Sequence, residues 1–516
     1  MKLGTSCKEI SPLIETFNDL NKNEIDLFIR DSQYDFHAYI DCAVVLQDTS
    51  LSSYYKALLS DIDIQLVYSD HDSLDSFSRQ EIPVFKPEWN RELLHNTNYI
   101  GGLVMLRNGK QVSSCNWNSE LENSSLYHMM LQLSLELLPS EVCRIPVILY
   151  HKIDMHKNYE KPLNPKYGLE QVNSYERETL DYLWSNYRDV QALYLSIESQ
   201  KYRRKYLEKI KNKYQLDKLN INIFDGLIPG TFQCKLQFGK ILPSVDIIVP
   251  TRDKASILKT CLDSLINKTD YSNYRILIVD NGSVEKETQE YYESIKSIDN
   301  IVIIESPGAF NYSKLNNDAV TRCDADVLVL LNNDTEIINT HWLQELVKQA
   351  IRPEVGCVGA KLIYSNERIQ HGGVIVGIKG LAGHAHRFSA RNDDGYCGRL
   401  KMSQNMSAVT AACLAVRRSL FIKVNGLDEH NLKVAYNDVD FCMRIKELGF
   451  NNVWTPYAEL FHHESLSRGS DDSREKQKRF RLEYNYMQER WSTHTIEDPA
   501  YNPNLSKDLE DFSLAS

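Results

Sequence analysis

The sequence predicts an α/β fold with a mostly parallel sheet, and three features of its middle region support this prediction. Apolar runs open the segments 244–250, 275–283, 300–306 and 326–334. Between them lie stretches with apolar side chains at helical spacing. Most of the runs close on polar residues or on a proline. Strands that alternate with helices in this way form βαβ units, in which the strands lie parallel.

The first two units follow one another directly. "SVDIIVP" (244–250) is a short apolar run closed by proline, which predicts a buried strand. After "TRDK", the segment "ASILKTCLDSLI" places its apolar residues on one helical face. "RILIVDNGS" (275–283) predicts the next strand and a turn, and a charged helix follows it.

The same alternation continues along the chain. "NIVIIES" (300–306) predicts a strand, and we expect a helix from about Ser313. "DVLVLLNND" (326–334) predicts a further strand, and "HWLQELVKQAI" (341–351) predicts a helix that ends before Pro353. "YNDVDFCMRIKELGF" (436–450) predicts a helix closed by glycine.

Polar residues follow three of the predicted strands, at 251–253, 280–283 and 332–334. Ligands of open α/β sheets bind outside the carboxyl ends of the strands, so these residues predict a binding site at one sheet edge. No G-x-G-x-x-G follows the first strand, and no P-loop motif is present. A carboxylate at Asp334 with an amide at Asn332 suits a hard divalent cation such as Mg²⁺. A solvated turn with helix-capping residues is the alternative interpretation of the same residues.

Two further clusters of polar residues lie near the end of the chain. Asn437 and Asp438 begin the helix predicted at 436–450, where the free N–H groups and the dipole favour a charged carboxylate. "LFHHESLSRG" (460–469) combines two His, a Glu and an Arg. A neutral imidazole is a good metal ligand and an Arg binds diphosphate well, although simple capping also explains the first cluster.

Composition limits the class of protein. The chain has 516 residues, 42% hydrophobic and 25% charged, which is typical of a soluble globular protein with two or three domains. A net charge of −11 argues against general nucleic-acid binding. Eleven Cys without a C-x-x-C pair favour reduced, cytosolic thiols. The first residues lack the apolar core of a signal peptide, and no apolar run is long enough to span a bilayer. We therefore expect a cytoplasmic protein, with peripheral contact at the inner face of the cytoplasmic membrane still compatible with the sequence.

Residues 243–505 resemble family-2 glycosyltransferases of the GT-A fold, the bacterial group that builds surface polysaccharides such as the O-antigen of lipopolysaccharide and that includes rhamnosyltransferases. The resemblance runs, in order, through the following motifs: "VDIIVPTRDK", "ILIVDNGS", "FNYSKLNN", "LLNNDTEII", "GCVGAKLIY", "IQHGGVIVG", "AVTAACLAVRR", "NDVDFCMR", "HHESLSRG" and "YNPNLS".

The resemblance implies roles for individual residues. "NND" stands at the D-x-D motif of the family, which makes Asp334 a metal ligand, with Asn332 in place of the first Asp. Asp438 stands at the catalytic base, and His462 at the late metal-binding His, with His463 as the alternative. Ten positions are expected to bind the donor: Pro250, Thr251, Arg252, Asp253, Asp280, Asn311, Lys314, Asn332, Asn333 and Arg468.

The implied activity is an inverting hexosyltransferase that depends on Mg²⁺ or Mn²⁺. Its partners are a nucleotide-sugar donor, dTDP-rhamnose or a UDP-hexose, and a glycan acceptor linked to a lipid. A nucleotidyltransferase would need a Gly-rich loop after the first strand, which "VPTRDKAS" lacks. A catalytically inactive glycan-binding or scaffold protein is the second alternative.

The beginning of the chain resembles only the later half of such a domain. Residues 1–152 are expected to form a partial, degenerate GT-A-like domain, 153–240 a helical linker, and 241–516 the catalytic domain. At the D-x-D position of the first copy the chain keeps Asp41 but has Ala43, and no carboxylate stands where the base should lie. Asp70 and Asp72 could form a metal pair, but a solvated turn is expected instead. The basic segment 201–213 predicts either a solvated helix face or a contact with anionic lipid.

Overall fold

The computed structural model describes residues 35–40, 44–74, 83–108, 125–153, 220–228, 231–238, 241–464 and 473–515. The chain divides into two compact units. Unit 1 comprises Met1–Gln200, Ile221–Cys234 and Tyr501–Asn504. Unit 2 comprises Lys201–Asn220, Lys235–Ala500 and Leu505–Ser516. Residues 154–219 of the predicted helical linker, including the basic segment 201–213, lie outside the described residues.

Unit 1 is built on a five-stranded sheet with helices packed against it. Its elements, in chain order, are β1 (Phe36–Ile40), β2 (Val44–Leu46), α1 (Ser50–Ser60), β3 (Leu66–Leu74), α2 (Arg91–Leu94), β4 (Leu103–Arg107), α3 (Ser125–Glu136) and β5 (Val142–Ile153). The strand order is β1-β4-β3-β5-β2. Only the central pair, β3 and β5, is parallel among these strands.

Two short strands follow, β6 (Asn220–Asp225) and β7 (Phe232–Gln237), and they form a separate two-stranded sheet. Both fall in the range 153–240, for which the sequence predicted a helical linker. The described part of that range is therefore extended rather than helical. β-branched and aromatic residues in "NINIFD" and "FQCKLQ" favour this extended conformation.

The prediction that Asp70 and Asp72 lie in a solvated turn is wrong. Both side chains are buried on strand β3. The Asp70 carboxylate accepts the backbone N–H of Lys86 at 2.8 Å and the Asn502 amide at 2.9 Å. Burial raises the pKa of Asp70 from its usual value. The polar residues around Asp70 and Asp72 suggested exposure, but the polar groups of these side chains are paired inside unit 1. Residues 501–504, from near the end of the chain, belong to this unit and take part in the pairing.

Unit 2 contains the βαβ units that the sequence predicted, followed by further strands and helices. Its first elements are β8 (Val245–Thr251), α4 (Ala255–Lys268), β9 (Tyr274–Asp280), α5 (Lys286–Ile295), β10 (Ile301–Glu305), α6 (Tyr312–Val320), β11 (Val327–Leu331), β12 (Thr335–Ile337) and α7 (Trp342–Ala350). The remaining elements are β13 (Val355–Ile363), β14 (Ile369–His371), β15 (Val374–Val376), β16 (Ala382–His384), β17 (Gln404–Met406), β18 (Cys413–Arg417), α8 (Arg418–Lys423), α9 (Asn437–Glu447), β19 (Asn451–His462) and α10 (Arg474–Trp491).

The main sheet of unit 2 has ten strands in the order β10-β9-β8-β11-β18-β13-β19-β12, with β14 on β13 and β17 on β19. β10, β9, β8 and β11 are parallel, β18 runs antiparallel between β11 and β13, and β13 is parallel to β19. Every residue of β8, β11 and β13 is buried, as expected for strands covered on both faces. The predicted fold class, α/β with a mostly parallel sheet, is confirmed.

Unit 1 repeats the connectivity of the later half of unit 2. In chain order, β1, β2, α1, β3, β4, α3 and β5 correspond to β11, β12, α7, β13, β18, α9 and β19. The sheet orders, β1-β4-β3-β5-β2 and β11-β18-β13-β19-β12, correspond strand for strand. The parallel and antiparallel pairings also agree at every position.

The register of the two sheets agrees as well. Arg107 lies opposite the first residue of β1, and Arg417 lies opposite the first residue of β11. Each guanidinium donates to a backbone carbonyl close to the start of the neighbouring central strand: Arg107 to Ile64 at 3.0 Å and Arg417 to Val355 at 2.6 Å. The correspondence therefore extends from topology to individual contacts.

Candidate active site

The carboxyl ends of three neighbouring strands meet in unit 2. Thr251, the last residue of β8, is in register with Asp280, the last residue of β9. Its carbonyl accepts the backbone N–H of Asn281 at 2.9 Å, and its hydroxyl accepts the Asn333 side-chain amide, also at 2.9 Å. The strand ends predicted to share one edge are thus joined by direct hydrogen bonds.

A cleft of about 560 Å³ opens at this edge, a size suited to a small-molecule ligand. Nine of the predicted site residues line it: Pro250, Thr251, Arg252, Asp253, Asn332, Asn333, Asp334, Asp438 and His462. The other lining residues include Phe310, Tyr312, Tyr364, Gln370, His384, Arg387, Thr410, Ala411, Tyr436, Glu464, Lys476 and Arg479. The cleft therefore joins the strand ends to the beginning of α9 and to the end of β19.

The loop after β8 is held rigidly at one end of this cleft. Asp253 and Lys254 both adopt left-handed backbone conformations, with φ of 52° and 54°, which non-glycine residues adopt uncommonly. The Asp253 carboxylate accepts the backbone N–H groups of Val284 at 2.7 Å and Glu285 at 2.9 Å. These hydrogen bonds lower the pKa of Asp253. Asp253 therefore links the loop after β8, in which it lies, to the loop between β9 and α5.

Three predicted donor-binding residues do not line the cleft. The Asp280 carboxylate accepts the Ser283 backbone N–H at 3.1 Å and the Tyr292 hydroxyl at 3.0 Å, so it orders the turn after β9. Asn311 caps α6 through the Lys314 N–H at 3.0 Å, and Lys314 lies on the surface beside Asp318. A fourth, Arg468, lies outside the described residues.

Asp334 and His462 face each other across the paired strands β12 and β19. Asp334 Oδ1 lies 3.2 Å from His462 Nε2, and both side chains are buried. The Asn332 amide is 3.1 Å from the same imidazole nitrogen. His462 Nδ1 donates to Gln370 Oε1 at 2.7 Å, while the Gln370 amide donates to Glu464 at 3.2 Å. In the neutral ring with its proton on Nδ1, Nε2 is an acceptor that can take a hydrogen bond from the Asn332 amide and that lies beside the Asp334 carboxylate.

This donor set fits a divalent cation. A carboxylate oxygen next to an imidazole acceptor nitrogen favours a positive charge at this place, either a cation or a proton on the ring. Adjacent ligands of an octahedral ion bound at about 2.1 Å are about 3 Å apart, close to the 3.2 Å that separates Asp334 and His462. Gln370 supplies the second-shell partner that orients a metal-binding His. In the described part of the chain, no group of three or more His, Cys, Asp and Glu side chains is placed to hold a metal ion. Mg²⁺ commonly takes one or two carboxylates and completes its shell with water and substrate phosphate.

His463 occupies a different environment. Its Nδ1 lies 2.7 Å from the Ser365 hydroxyl, its Nε2 lies 3.5 Å from Glu336, and its ring stacks on Phe461. It does not line the main cleft. Of the two candidate histidines, His462 is therefore the one whose ring lies beside Asp334.

Asp438 lies in the first turn of α9 and borders the cleft. Its Oδ2 accepts the Ala411 backbone N–H at 3.0 Å, and its Oδ1 accepts the N–H of Val439 at 2.9 Å. Tyr436, the residue before α9, has a left-handed backbone conformation with φ of 59°. The chain turns at this residue and enters α9 beside the cleft. The carboxylate of Glu483 holds the preceding loop through the Val434 N–H at 2.9 Å.

Asp440, two residues further along α9, is buried away from the cleft. Its carboxylate pairs with Arg444 at 2.8 Å, with Arg490 at 3.3 Å and with the Trp491 indole at 3.1 Å. The two acids of "NDVD" thus have separate environments, and only Asp438 borders the space where a substrate would bind.

Comparison with known proteins identifies this part of the chain. Residues 246–424 match the family model Glycosyl transferase family 2. Unit 2 carries a domain of glycosyltransferase family 2. The resemblance inferred from the sequence motifs is therefore confirmed.

Two relatives match the chain across both units. The chain is 37% identical over 455 residues to the uncharacterized protein y4gI of Sinorhizobium fredii, covering 88% of this chain and 46% of that protein. It is 29% identical over 485 residues to the O-antigen biosynthesis protein RfbC of Myxococcus xanthus, covering 93% of this chain and 34% of that protein. The chain thus spans less than half the length of either relative.

A shorter match involves a protein with a named reaction. Over 84 residues the chain is 33% identical to the N-acetylglucosaminyl-diphospho-decaprenol L-rhamnosyltransferase of Mycobacterium tuberculosis, covering 16% of this chain and 27% of that protein.

In the described part of the chain, no helix combines the length and the apolar character needed to cross a membrane.

Several residues of the cleft were not predicted. Gln370 and His384 lie 36 and 50 residues after Asp334 and 92 and 78 residues before His462, and nothing in their immediate sequence shows which side chains they contact. Phe310 and Tyr312 line the cleft although their neighbour Asn311 was chosen instead. The motif "FNYS" located the segment, but not which of its side chains faces the cleft.

Proposed function

We propose that this chain is a metal-dependent, inverting glycosyltransferase that transfers a sugar from a nucleotide-sugar donor to a growing, lipid-linked surface polysaccharide. The observation that supports this most strongly is the convergence of three groups in one cleft of a family-2 domain. These groups are the polar strand ends after β8 and β11, the Asp334–His462 pair, and the carboxylate of Asp438.

The chemistry assigned to the cleft is a single displacement. The oxygen of an acceptor hydroxyl forms a bond to the anomeric carbon while the bond from that carbon to the diphosphate oxygen breaks. Asp438 takes the hydroxyl proton as general base. The electron pair of the broken bond leaves with the nucleoside diphosphate. One displacement at carbon inverts the anomeric configuration, and no residue is assigned as a covalent nucleophile.

Asp334 and His462 would hold the cation, with the Asn332 side chain beside them. When bound, a divalent cation supplies positive charge that stabilises the leaving diphosphate. The chain contributes the orientation of the ligands: Gln370 holds the His462 ring, and the backbone N–H of Asn332 donates to the Ala412 carbonyl at 3.0 Å. The loop that carries Ala411 and Ala412 therefore connects the metal ligands to Asp438.

The substrate class rests on the relatives. The O-antigen biosynthesis protein RfbC supports a surface-polysaccharide product, and the mycobacterial rhamnosyltransferase supports a rhamnosyl donor and a diphospholipid acceptor. We therefore propose dTDP-rhamnose as the first donor to test, with UDP-hexoses as alternatives. An acceptor of this kind places the reaction at the inner face of the cytoplasmic membrane.

The proposed activity is tested by donor turnover. The purified chain is incubated with a panel of sugar nucleotides and an oligosaccharide-diphospholipid acceptor, with and without Mn²⁺, and released nucleoside diphosphate is measured. We expect one donor to be turned over, and only with the cation. A chain that binds the acceptor glycan but releases no nucleoside diphosphate from any donor would instead support the alternative of an inactive glycan-binding protein.

For unit 1 we propose a partial GT-A copy without a donor site. Val44 lies opposite Lys152 in the sheet of unit 1, just as Thr335 lies opposite His462 in unit 2. By this register Lys152 replaces the histidine, and Ala43, the residue before Val44, replaces Asp334. An ammonium group and a methyl group cannot ligate a cation. Calorimetric titration of the full chain with donor and Mn²⁺ should therefore give one site per chain, and two sites would contradict the proposal.

A further inference from the structure

Two histidines meet beside the candidate active site: His371, which is fully buried, and His384, which is partly buried. His371 ends β14 and His384 ends β16, and their Nδ1 atoms are 2.8 Å apart with the rings nearly perpendicular, at 83°. Gly372 makes this approach possible, because a Cβ at that position would lie 2.7 Å from the Ala385 carbonyl oxygen. Each ring therefore contributes one nitrogen to a shared hydrogen bond.

Both rings are neutral at physiological pH. Burial lowers the pKa of His371 well below its usual value. Burial, together with the nearby positive charge of Arg387, lowers the pKa of His384 to about 4. A neutral imidazole has one N–H donor and one acceptor nitrogen, so the contacts of the pair decide which nitrogen carries each proton.

The contacts assign both tautomers. The backbone N–H of Thr410 donates to His371 Nε2 at 3.4 Å, so this nitrogen is an acceptor and the proton of His371 is on Nδ1. His371 Nδ1 then donates to His384 Nδ1. His384 must consequently carry its own proton on Nε2. The backbone N–H of Thr410 thus fixes the tautomer of His371, and His371 in turn fixes that of His384. The result is an N–H donor on His384, closer to the cleft than the N–H of Thr410.

His384 lines the cleft, whereas His371 does not. Asp438 and Glu464 also line the cleft and act electrostatically on His384. Carboxylates only accept hydrogen bonds, so His384 adds a neutral donor beside them, in a part of the cleft that Arg387 also lines. A sugar presents neighbouring hydroxyls, one of which can donate to Asp438 while the next accepts from His384.

We propose that His384 binds a hydroxyl of the acceptor sugar, next to the hydroxyl that Asp438 deprotonates, and that His371 positions it by fixing its tautomer. This inference rests on the proposed function and assigns the His384 side of the cleft to the acceptor. The ligand class is a hydroxyl-bearing sugar, because a neutral N–H donor beside the Asp438 carboxylate complements neighbouring hydroxyls, which both donate and accept hydrogen bonds.

The first test separates acceptor binding from donor chemistry. In His384→Leu we expect the acceptor KM to rise about tenfold, with a much smaller change in the donor Kd. His384→Gln retains an N–H donor and should recover part of the loss. His371→Leu should raise the acceptor KM as His384→Leu does, because His384 loses its fixed tautomer. An unchanged acceptor KM in a transfer-active His384→Leu variant would overturn the proposal.

The second test does not depend on activity or on variants that fold poorly. Long-range ¹H–¹⁵N spectra of the wild-type chain, labelled at histidine, report which ring nitrogen is protonated, and the His384→Gln variant assigns the signal. We expect a neutral ring with the proton on Nε2. A proton on His384 Nδ1, or a charged ring at neutral pH, would overturn the inference. Absence of turnover with every donor would overturn the proposed function instead, and this spectrum would still decide the tautomer.

Discussion

Replacing Asp438 by Asn is expected to lower turnover by roughly 10²- to 10⁴-fold, the usual contribution of a positioned general base. That loss corresponds to about 3–5.5 kcal/mol of barrier. An amide cannot accept the proton of the attacking hydroxyl. Its oxygen can still accept the Ala411 N–H that Asp438 Oδ2 accepts at 3.0 Å, so the local geometry should persist.

The measurement is steady-state release of nucleoside diphosphate, with the donor Kd and the thermal midpoint measured in parallel. Both of these should stay near the wild-type values. Asp440→Asn is the matched control in the same helix turn: it disturbs the buried contacts with Arg444, Arg490 and Trp491 and should lower stability by about 1–3 kcal/mol. Turnover preserved in Asp438→Asn but abolished in folded Asp440→Asn would show that the base has been assigned to the wrong acid.

Replacing Asp334 by Ala is expected to lower turnover on the order of 10³-fold and to remove its dependence on Mn²⁺. The change deletes the only carboxylate within the Asp334–His462 pair, so the imidazole alone would remain to hold the cation. A cation lost from the site no longer stabilises the leaving diphosphate. EDTA should inactivate the wild-type chain to a similar extent.

Two matched pairs make this test specific. Glu336 lies two residues beyond Asp334, near Lys268 and His463, and does not line the main cleft, so Glu336→Ala should retain turnover. His462→Ala should raise the Mn²⁺ concentration needed for half-maximal activity, whereas His463→Ala should not. Full activity of Asp334→Ala in the presence of EDTA would contradict the metal assignment.

The sequence predicted the βαβ units well because their signals are local. The buried strands β8 and β11 are continuous apolar runs, and α4 and α7 follow at helical spacing, so each element is visible within a short window. Asp334 was recognisable because it follows a buried strand directly. A strand-end position places a residue at the ligand edge of such a sheet, but it does not fix whether the side chain faces the cleft, and the Asp280 side chain does not.

Other features depend on contacts between residues that are far apart in the sequence, so no short stretch of sequence shows them. Asp70 and Asp72 appeared to be a solvated turn, but Asp70 is paired with Lys86 and with Asn502, which is more than 400 residues away in the chain. Gln370 orients His462 from a separate strand. The pairing of His371 with His384 depends on the close approach that Gly372 permits.

The central claim is that one carboxylate, Asp438, promotes direct displacement at the anomeric carbon. The configuration of the new glycosidic bond tests it most directly, because configuration reports the number of displacements. The product made from the donor that the full chain turns over is examined by ¹H NMR through the anomeric coupling constant. We predict that the configuration of the donor is inverted in the product. Retention would require a second displacement or a different mechanism, and it would contradict the account.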